Sequence, residues 1–266
     1  MFIIGERING MFRSVARAIR ERDADAIADL ARRQVAAGAH ALDINTGPTG
    51  EDPAEVMTWL VQTVQEVTDV PLSIDSPRPA VIAAGLRACS GRALINSTTG
   101  AREKLDVLLP LAQEYGAELI ALTIDERGIP RNAAARAEIA LAIVARAMEA
   151  GFPTDRLYLD PIVLPVNAAQ DQCREALVAM TAFRTLCEPA PHIIIGLSNV
   201  SQGTTNRSLI NRTYLAMAQA CGCDAAILDP LDRDLMDVMR TASILLNQEI
   251  YCEGYLQARP QPVEGR

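Results

Sequence analysis

Acidic and amide residues recur in this chain at one kind of place, the end of a short apolar run. Glu6 and Arg7 end the first run, Asp43 and Asn45 the second, Asp75 the third and Asn96 the fourth. Thr123 with Asp125, then Asp160, then Ser198 with Asn199, and last Asp229 end the others. Asp, Asn and Ser often stand there only to cap the next helix or fix a turn. For any one residue that reading leads. For all the ends together it weakens, because capping does not demand such uniformity. The oxygens of Glu6, Asp43, Asp75, Asp125, Asp160 and Asp229 would suit a hard divalent cation. The same residues would also suit a ligand rich in N–H groups, since carboxylates accept hydrogen bonds while amides accept and donate at once.

A heterocycle with an amino group beside a ring N–H meets one carboxylate through two parallel bonds. Pterins and guanine-like rings present that edge. Other chemistries have little to work with. Lys104 is the sole lysine, so Schiff-base chemistry has one candidate, and it lies in a helical segment away from the run ends. His40 and His192 precede the second and seventh runs and belong at the opposite mouth, in structural roles. The serine of GLSNV lacks the second glycine of a nucleophile elbow. Neither G-x-G-x-x-G nor G-x-x-x-x-G-K-[ST] occurs, which removes nucleotide cradling as the leading idea. With no strong nucleophile in view, the pattern favours holding one substrate while a second, itself reactive, attacks it.

The elements that must position these residues are eight strands: Phe2–Glu6, Ala41–Asn45, Leu72–Ser76, Ala93–Ser97, Leu119–Asp125, Leu157–Ile162, Ile193–Ser198 and Ala225–Asp229. Continuous apolar runs alternating with helical segments mean a parallel sheet covered on both faces. Gly38, Gly91, Gly116, Gly151 and Gly222 fit the place where a helix closes just before a strand. Asp52 with Pro53 and, further on, Pro79 mark helix starts. The spacing of Leu105, Leu108, Leu109 and Ala112 makes one helical stripe. Eight such units in 266 residues predict a (β/α)8 TIM barrel in a single domain, with the site at the C-terminal ends of the strands. The polar, proline-broken stretch 252–266 reads as a tail.

Composition narrows the setting. Hydrophobic residues are 49% and charged residues 22%, an ordinary globular mix. The formal charge of -8 argues against nucleic-acid or anionic-membrane partners. The six cysteines, Cys89, Cys173, Cys187, Cys221, Cys223 and Cys252, are dispersed with no Cys-x-x-Cys pair. A reduced cytoplasmic protein is the plain reading, with no metal site expected.

Several stretches then become specific in combination. They are IIGERING at the N-terminus, LDIN at 42–45, SIDS at 73–76, INST at 95–98, YLDPIVLP at 158–165 and GLSNVSQ…NRSLINRTYLAMAQACGCDAAI from 196 onward. Together they resemble the methyltetrahydrofolate:corrinoid protein methyltransferases, nearly end to end, and in particular the enzyme that methylates the corrinoid/iron-sulfur protein of the acetyl-CoA pathway. The resemblance implies a pterin-binding TIM barrel, a fold shared with dihydropteroate synthase and with the folate domain of methionine synthase. It implies that Asp75, Asn96 and Asp160 bond the pterin edge of 5-methyltetrahydrofolate and that Gly196 and Ser198 line the wall beside the ring. By the same resemblance Asn199 bonds N5, the nitrogen that bears the methyl group, and Gln202 and Arg207 stand on the loop above. The corrinoid would be supplied by a partner protein, either the corrinoid/iron-sulfur protein or a demethylase-system subunit, and the enzyme would be a homodimer. Two other readings stay open: a dihydropteroate-synthase-like condensing enzyme, and a non-catalytic folate-binding subunit.

Overall fold

Eight short strands with bare apolar cores close on themselves in the computed structural model, which describes residues 1–251. The strands are β1 (Phe2–Asn9), β2 (Ala41–Asn45), β3 (Leu72–Asp75), β4 (Ala93–Thr99), β5 (Glu118–Leu122), β6 (Leu157–Asp160), β7 (His192–Gly196) and β8 (Ala225–Leu228). All neighbours pair in parallel in chain order, and β8 returns to β1. The predicted (β/α)8 barrel is therefore the fold. Position 252 and the stretch 252–266, read above as a tail, lie outside the described residues.

Alternation along each strand divides the apolar residues into two cores. One face of the strands, with Ile4, Ala41, Leu94, Ile120, Tyr158, Ile194 and Ala225, fills the barrel. The other face, with residues such as Ile3, Leu42, Ile74, Ile95, Leu159 and Ile195, packs against the helices. The helices are α1 (Arg13–Glu21), α2 (Ala24–Ala36), α3 (Pro53–Gln65), α4 (Pro79–Ala88), α5 (Arg102–Glu114), α6 (Ala133–Glu149), α7 (Gln170–Phe183), α8 (Arg207–Ala220) and α9 (Arg233–Leu245). Asp52 caps α3 by accepting from Ala54 N at 3.0 Å, with Pro53 as the first helical residue. Pro79 opens α4 in the same way. None of these helices is long and apolar enough to cross a membrane.

The boundaries depart from expectation where local geometry intervenes. The first strand runs on to Asn9, with a register shift against β2 between Gly5 and Ile8. The fifth ends at Leu122, not Asp125, because Ile124 N turns back onto Leu122 O at 2.8 Å. Of the helix-closing glycines, Gly38, Gly116, Gly151 and Gly222 have positive φ; Gly91 does not. There α4 stops early, with Cys89 in an extended conformation that leaves no left-handed residue to fill. Lys104 also differs: β4 extends to Thr99 and α5 begins at Arg102, so this exposed lysine sits on a first turn at the strand-end side of the barrel.

Candidate active site

Register decides which strand-end residues meet. Asp43 pairs with Ser73 and Asn45 with Asp75 across β2 and β3, and Asp75 pairs with Asn96 on β4. All five point into the upper mouth, where they form two adjacent hydrogen-bonded groups. Asp43 Oδ1 accepts from Ser73 Oγ at 2.7 Å and from Asn96 Nδ2 at 2.9 Å. Asn45 Nδ2 donates to Asp75 Oδ2 at 2.6 Å, while Asn45 Oδ1 accepts from Gly47 N at 2.6 Å. That last bond fixes which way the Asn45 amide faces.

Gly47 can serve because nothing projects from it. Its φ is +62, and an added Cβ would lie 2.4 Å from the Gly10 main chain. The reciprocal Cβ on Gly10 would lie 2.1 Å from Thr46 O. The ends of β1 and β2 thus touch backbone to backbone, a contact open only to glycine on both sides.

The opposite wall comes from β6 and β7. Asp160 is buried at the end of β6, where its Oδ1 accepts from Ile162 N at 2.7 Å. The Gly196 main chain on β7 also bonds this carboxylate. After Gly196 the chain makes a single 3-10 turn, Leu197–Asn199, which carries the next two expected residues. Ser198 Oγ donates to Glu6 Oε1 at 2.6 Å, joining β7 to β1 across 192 positions of sequence. Asn199 is exposed, and its Nδ2 lies 3.0 Å from where a Gly196 Cβ would sit, so the glycine makes room for the amide. Gln202 is exposed in the following turn. Arg207, at the start of α8, reaches back to Ser201 Oγ at 3.1 Å and Ser198 O at 3.2 Å. Those bonds tie the loop to the start of α8.

Two carboxylates of the divalent-cation alternative are taken by arginines. Asp125 lies beyond β5 and is chelated by Arg127, whose Nε and Nη2 sit 2.8 and 2.7 Å from Oδ2. Asp229 lies 3.5 Å from Arg7, which also stacks over Phe12 at 4.3 Å. Among the described residues no three His, Cys, Asp or Glu side chains group as a metal cage.

Burial sets the electrostatics of what remains. It pushes the Asp160 carboxyl up to about 6, against the main-chain N–H groups and the more distant Arg136 that favour its charge. Burial also raises Asp43 well above the ordinary range, and the neighbouring Asp75 raises it further. Asp75 is raised by burial despite the bond from Asn45. Glu6 is raised likewise despite Ser198. These carboxylates are held in a poor solvent and short of donors, the state a donor-rich ligand relieves. Glu6 and Asp43 were legible in the sequence as strand ends, and the closed barrel places both beside the other raised carboxylates.

The histidines stand at the other mouth. His40 Nδ1 accepts from Ile3 N at 3.0 Å, and His192 Nδ1 lies 3.0 Å from Asp224 Oδ2. Both roles are structural: His40 just precedes β2, and His192, expected to precede the seventh strand, is the first residue of β7.

A family model described as pterin binding enzyme matches residues 5–229. The methylcorrinoid:tetrahydrofolate methyltransferase of Eubacterium limosum is 34% identical over 260 residues, covering 97% of this chain and 96% of that protein. The methionine synthase of Mycobacterium leprae is 29% identical over 272 residues, covering 96% of this chain but 22% of its own length. That of Mycobacterium tuberculosis is 30% identical, over 86% of this chain and 20% of its length. Among solved structures, Yersinia pestis dihydropteroate synthase with a pterine–sulfa conjugate superposes at a TM-score of 0.69 and 16% identity, covering 92% of this chain and 94% of that one. The Coxiella burnetii dihydropteroate synthase with pteroic acid gives 0.66 at 13% identity, covering 93% and 94%. At such identities these two share the fold alone.

Proposed function

The chain belongs to the pterin-binding enzymes, and on that premise we propose that it moves a methyl group between N5 of tetrahydrofolate and the cobalt of a corrinoid carried by a partner protein. The observation that carries this reading is the end-to-end match to a relative named for that reaction. The upper mouth supplies the acceptors such a substrate needs.

In this reading Asp75 and Asp160 take the amino and ring N–H groups of the pterin. Asn96 gives one Nδ2 hydrogen to Asp43, which leaves its carbonyl oxygen and second Nδ2 hydrogen for the ring. Gly196 and Ser198 form the wall beside the ring, while Gln202 and Arg207 border it from above. A methyl group on a tertiary amine leaves badly, because the departing nitrogen must accept the bonding pair. In the forward direction the cobalt(I) pair attacks the methyl carbon, the C–N5 bond breaks, and its electrons pass to N5. The nitrogen ends protonated, with the proton drawn from solvent through the open mouth. Asn199 donates to N5, and that bond strengthens as charge builds there. Only an interaction stronger in the transition state than in the ground state accelerates the step. The remaining contribution is alignment of the two substrates. Run backwards, the same contacts serve transfer onto tetrahydrofolate, the direction in the name of the Eubacterium limosum relative.

The partner is a corrinoid protein of the acetyl-CoA pathway or of a demethylase system. A homodimer packed through barrel helices and a cytoplasmic setting complete the reading. The test is methyl transfer to free cob(I)alamin, followed by its absorption spectrum. Transfer supports the proposal. Folate binding without transfer points to a non-catalytic subunit, and condensation of a pterin diphosphate with an aminobenzoate points to a synthase; either outcome overturns it.

A further inference from the structure

We propose that Arg136 is a positioning residue for Asp160, acting on that carboxylate through a single peptide group that both side chains grip. The proposal rests on the reading of Asp160 as a pterin-binding residue. Arg136 lies in the first helical turns of α6, outside the barrel, and is 0% exposed. A guanidinium so deeply buried requires a counter-charge or a full set of acceptors. Its hydrogen bonds go to neutral groups: Nε donates to Pro161 O at 2.6 Å, Nη1 to Gln172 Oε1 at 3.2 Å and Nη2 to Ile162 O at 3.5 Å.

The short bond reveals the role. The carbonyl of Pro161 and the N–H of Ile162 belong to one planar peptide unit. That N–H donates to Asp160 Oδ1 at 2.7 Å. A buried cation, a peptide dipole and a buried carboxylate therefore stand in series, each polarising the next. The geometry is held at a cost. Ile162 has φ of 64, the left-handed region that a β-branched side chain strongly disfavours. Such conformations persist only where the surroundings over-determine them. Here Arg136 pins the turn from behind while Asp160 holds it in front.

Other charged and titratable groups face the pair. Glu175 and Asp171 from α7 and the Tyr214 phenol from α8 lie toward the guanidinium. Tyr214 and the Cys223 thiol, just before β8, lie toward Asp160. Glu175 and Asp171 offset the charge of the arginine, whereas Tyr214 and Cys223, whose own ionisation burial pushes up, are neutral where Asp160 titrates. The charge of Arg136 reaches Asp160 and favours the ionised carboxylate. Without it the Asp160 titration moves up.

The test compares Arg136→Gln, which keeps donors but no charge, with Arg136→Lys, which keeps the charge. Carbon-13 NMR of aspartate-labelled, ligand-free protein follows the Asp160 carboxyl, assigned by its loss in Asp160→Asn. Arg136→Gln should raise the midpoint by about one pH unit, and Arg136→Lys should restore most of that shift. Tetrahydrofolate affinity of Arg136→Gln should then fall about fivefold near pH 6 and recover by about pH 8.5. An unmoved Asp160 midpoint in Arg136→Gln overturns the relay, as does an affinity loss equal at every pH and equal in both variants. Should the glutamine variant fail to fold, the lysine variant decides: an Asp160 midpoint displaced as far as one unit with the charge still present overturns the relay, and a retained midpoint supports it. A shifted midpoint with no tetrahydrofolate binding by the parent chain would leave the relay standing and remove the pterin reading instead.

Discussion

At the lower mouth of the barrel, polar side chains meet partners of opposite character. His192 Nδ1 lies 3.0 Å from Asp224, Arg184 approaches the same carboxylate at 3.7 Å, and the Tyr158 hydroxyl donates to Glu118 at 3.0 Å. Glu118 also holds Arg92, and the Tyr158 ring stacks on His192 at 4.7 Å. At the upper mouth, carboxylate faces carboxylate: Asp43 lies beside Asp75, and both bond only neutral donors. One mouth is saturated and the other is waiting. A saturated mouth repays its desolvation within the chain and serves stability. An unsaturated one carries that cost until a ligand arrives, and so serves binding.

The largest effect that would sharpen this contrast lies on the exposed rim of the upper mouth. Asn199→Ala should lose about 2.7–4 kcal/mol of transition-state stabilisation, roughly 10²–10³-fold in kcat, with folate affinity much less affected. Single-turnover methyl transfer beside equilibrium folate binding measures both. Transfer at the parent rate, or a loss of affinity alone, would leave Asn199 as a turn residue.

The next is a trade between function and stability at Asp160. Asp160→Asn removes an ionised acceptor and should weaken tetrahydrofolate binding by about 1.5–3 kcal/mol in calorimetry. The same change should stabilise the ligand-free chain at neutral pH. With the carboxyl at about 6 folded against the ordinary 3.8 unfolded, the native state binds more protons between those values. Its ionised form therefore costs stability above about pH 6, and that cost fades as pH falls toward 4. Thermal unfolding at pH 7.5 should show the variant ahead by about 1–3 kcal/mol, with the lead shrinking by pH 5. A variant less stable than the parent at pH 7.5 would break the contrast.

The smallest effect belongs to the lower mouth, and its sign is reversed. Hydrogen bonding to Asp224 raises the His192 imidazole above its usual value. The stability it brings is full below the unfolded value of 6.5 and is lost as pH rises through the folded one. His192→Ala should cost about 0.5–1 kcal/mol near pH 6, discounted for a side chain 41% exposed, and less at pH 9. Folate affinity should not change. A cost that grew with pH would contradict the assignment.

The barrel was legible in the sequence because its strands are buried on both faces, which turns each into an unbroken apolar run closed by a polar residue. The strand ends were legible for the same reason. What the runs do not carry is depth. Asp125 and Asp160 look alike in sequence, yet one lies past its strand under Arg127 and the other is buried at the end of β6. Nor does local spacing show that Glu6 meets Ser198, since the contact spans the closed barrel. Arg136 was hidden by its company: in a helix rich in alanine it reads as a surface arginine, and two of its three acceptors are main-chain carbonyls that no residue type announces.

The seam between Gly10 and Gly47 has a bearing on how this cup can be redesigned. Variation aimed at a larger heterocycle has room at Gln202 and Thr205, whose side chains are exposed. It has none at the seam. Alanine at Gly10 would force its main chain off Thr46 O, where the new Cβ would otherwise lie at 2.1 Å. That displacement passes to Gly47, then through the Gly47 N–H to the Asn45 amide, and from there to Asp75. A mutational scan of the mouth should find two neighbouring positions that tolerate no substitution although neither carries a side chain to lose.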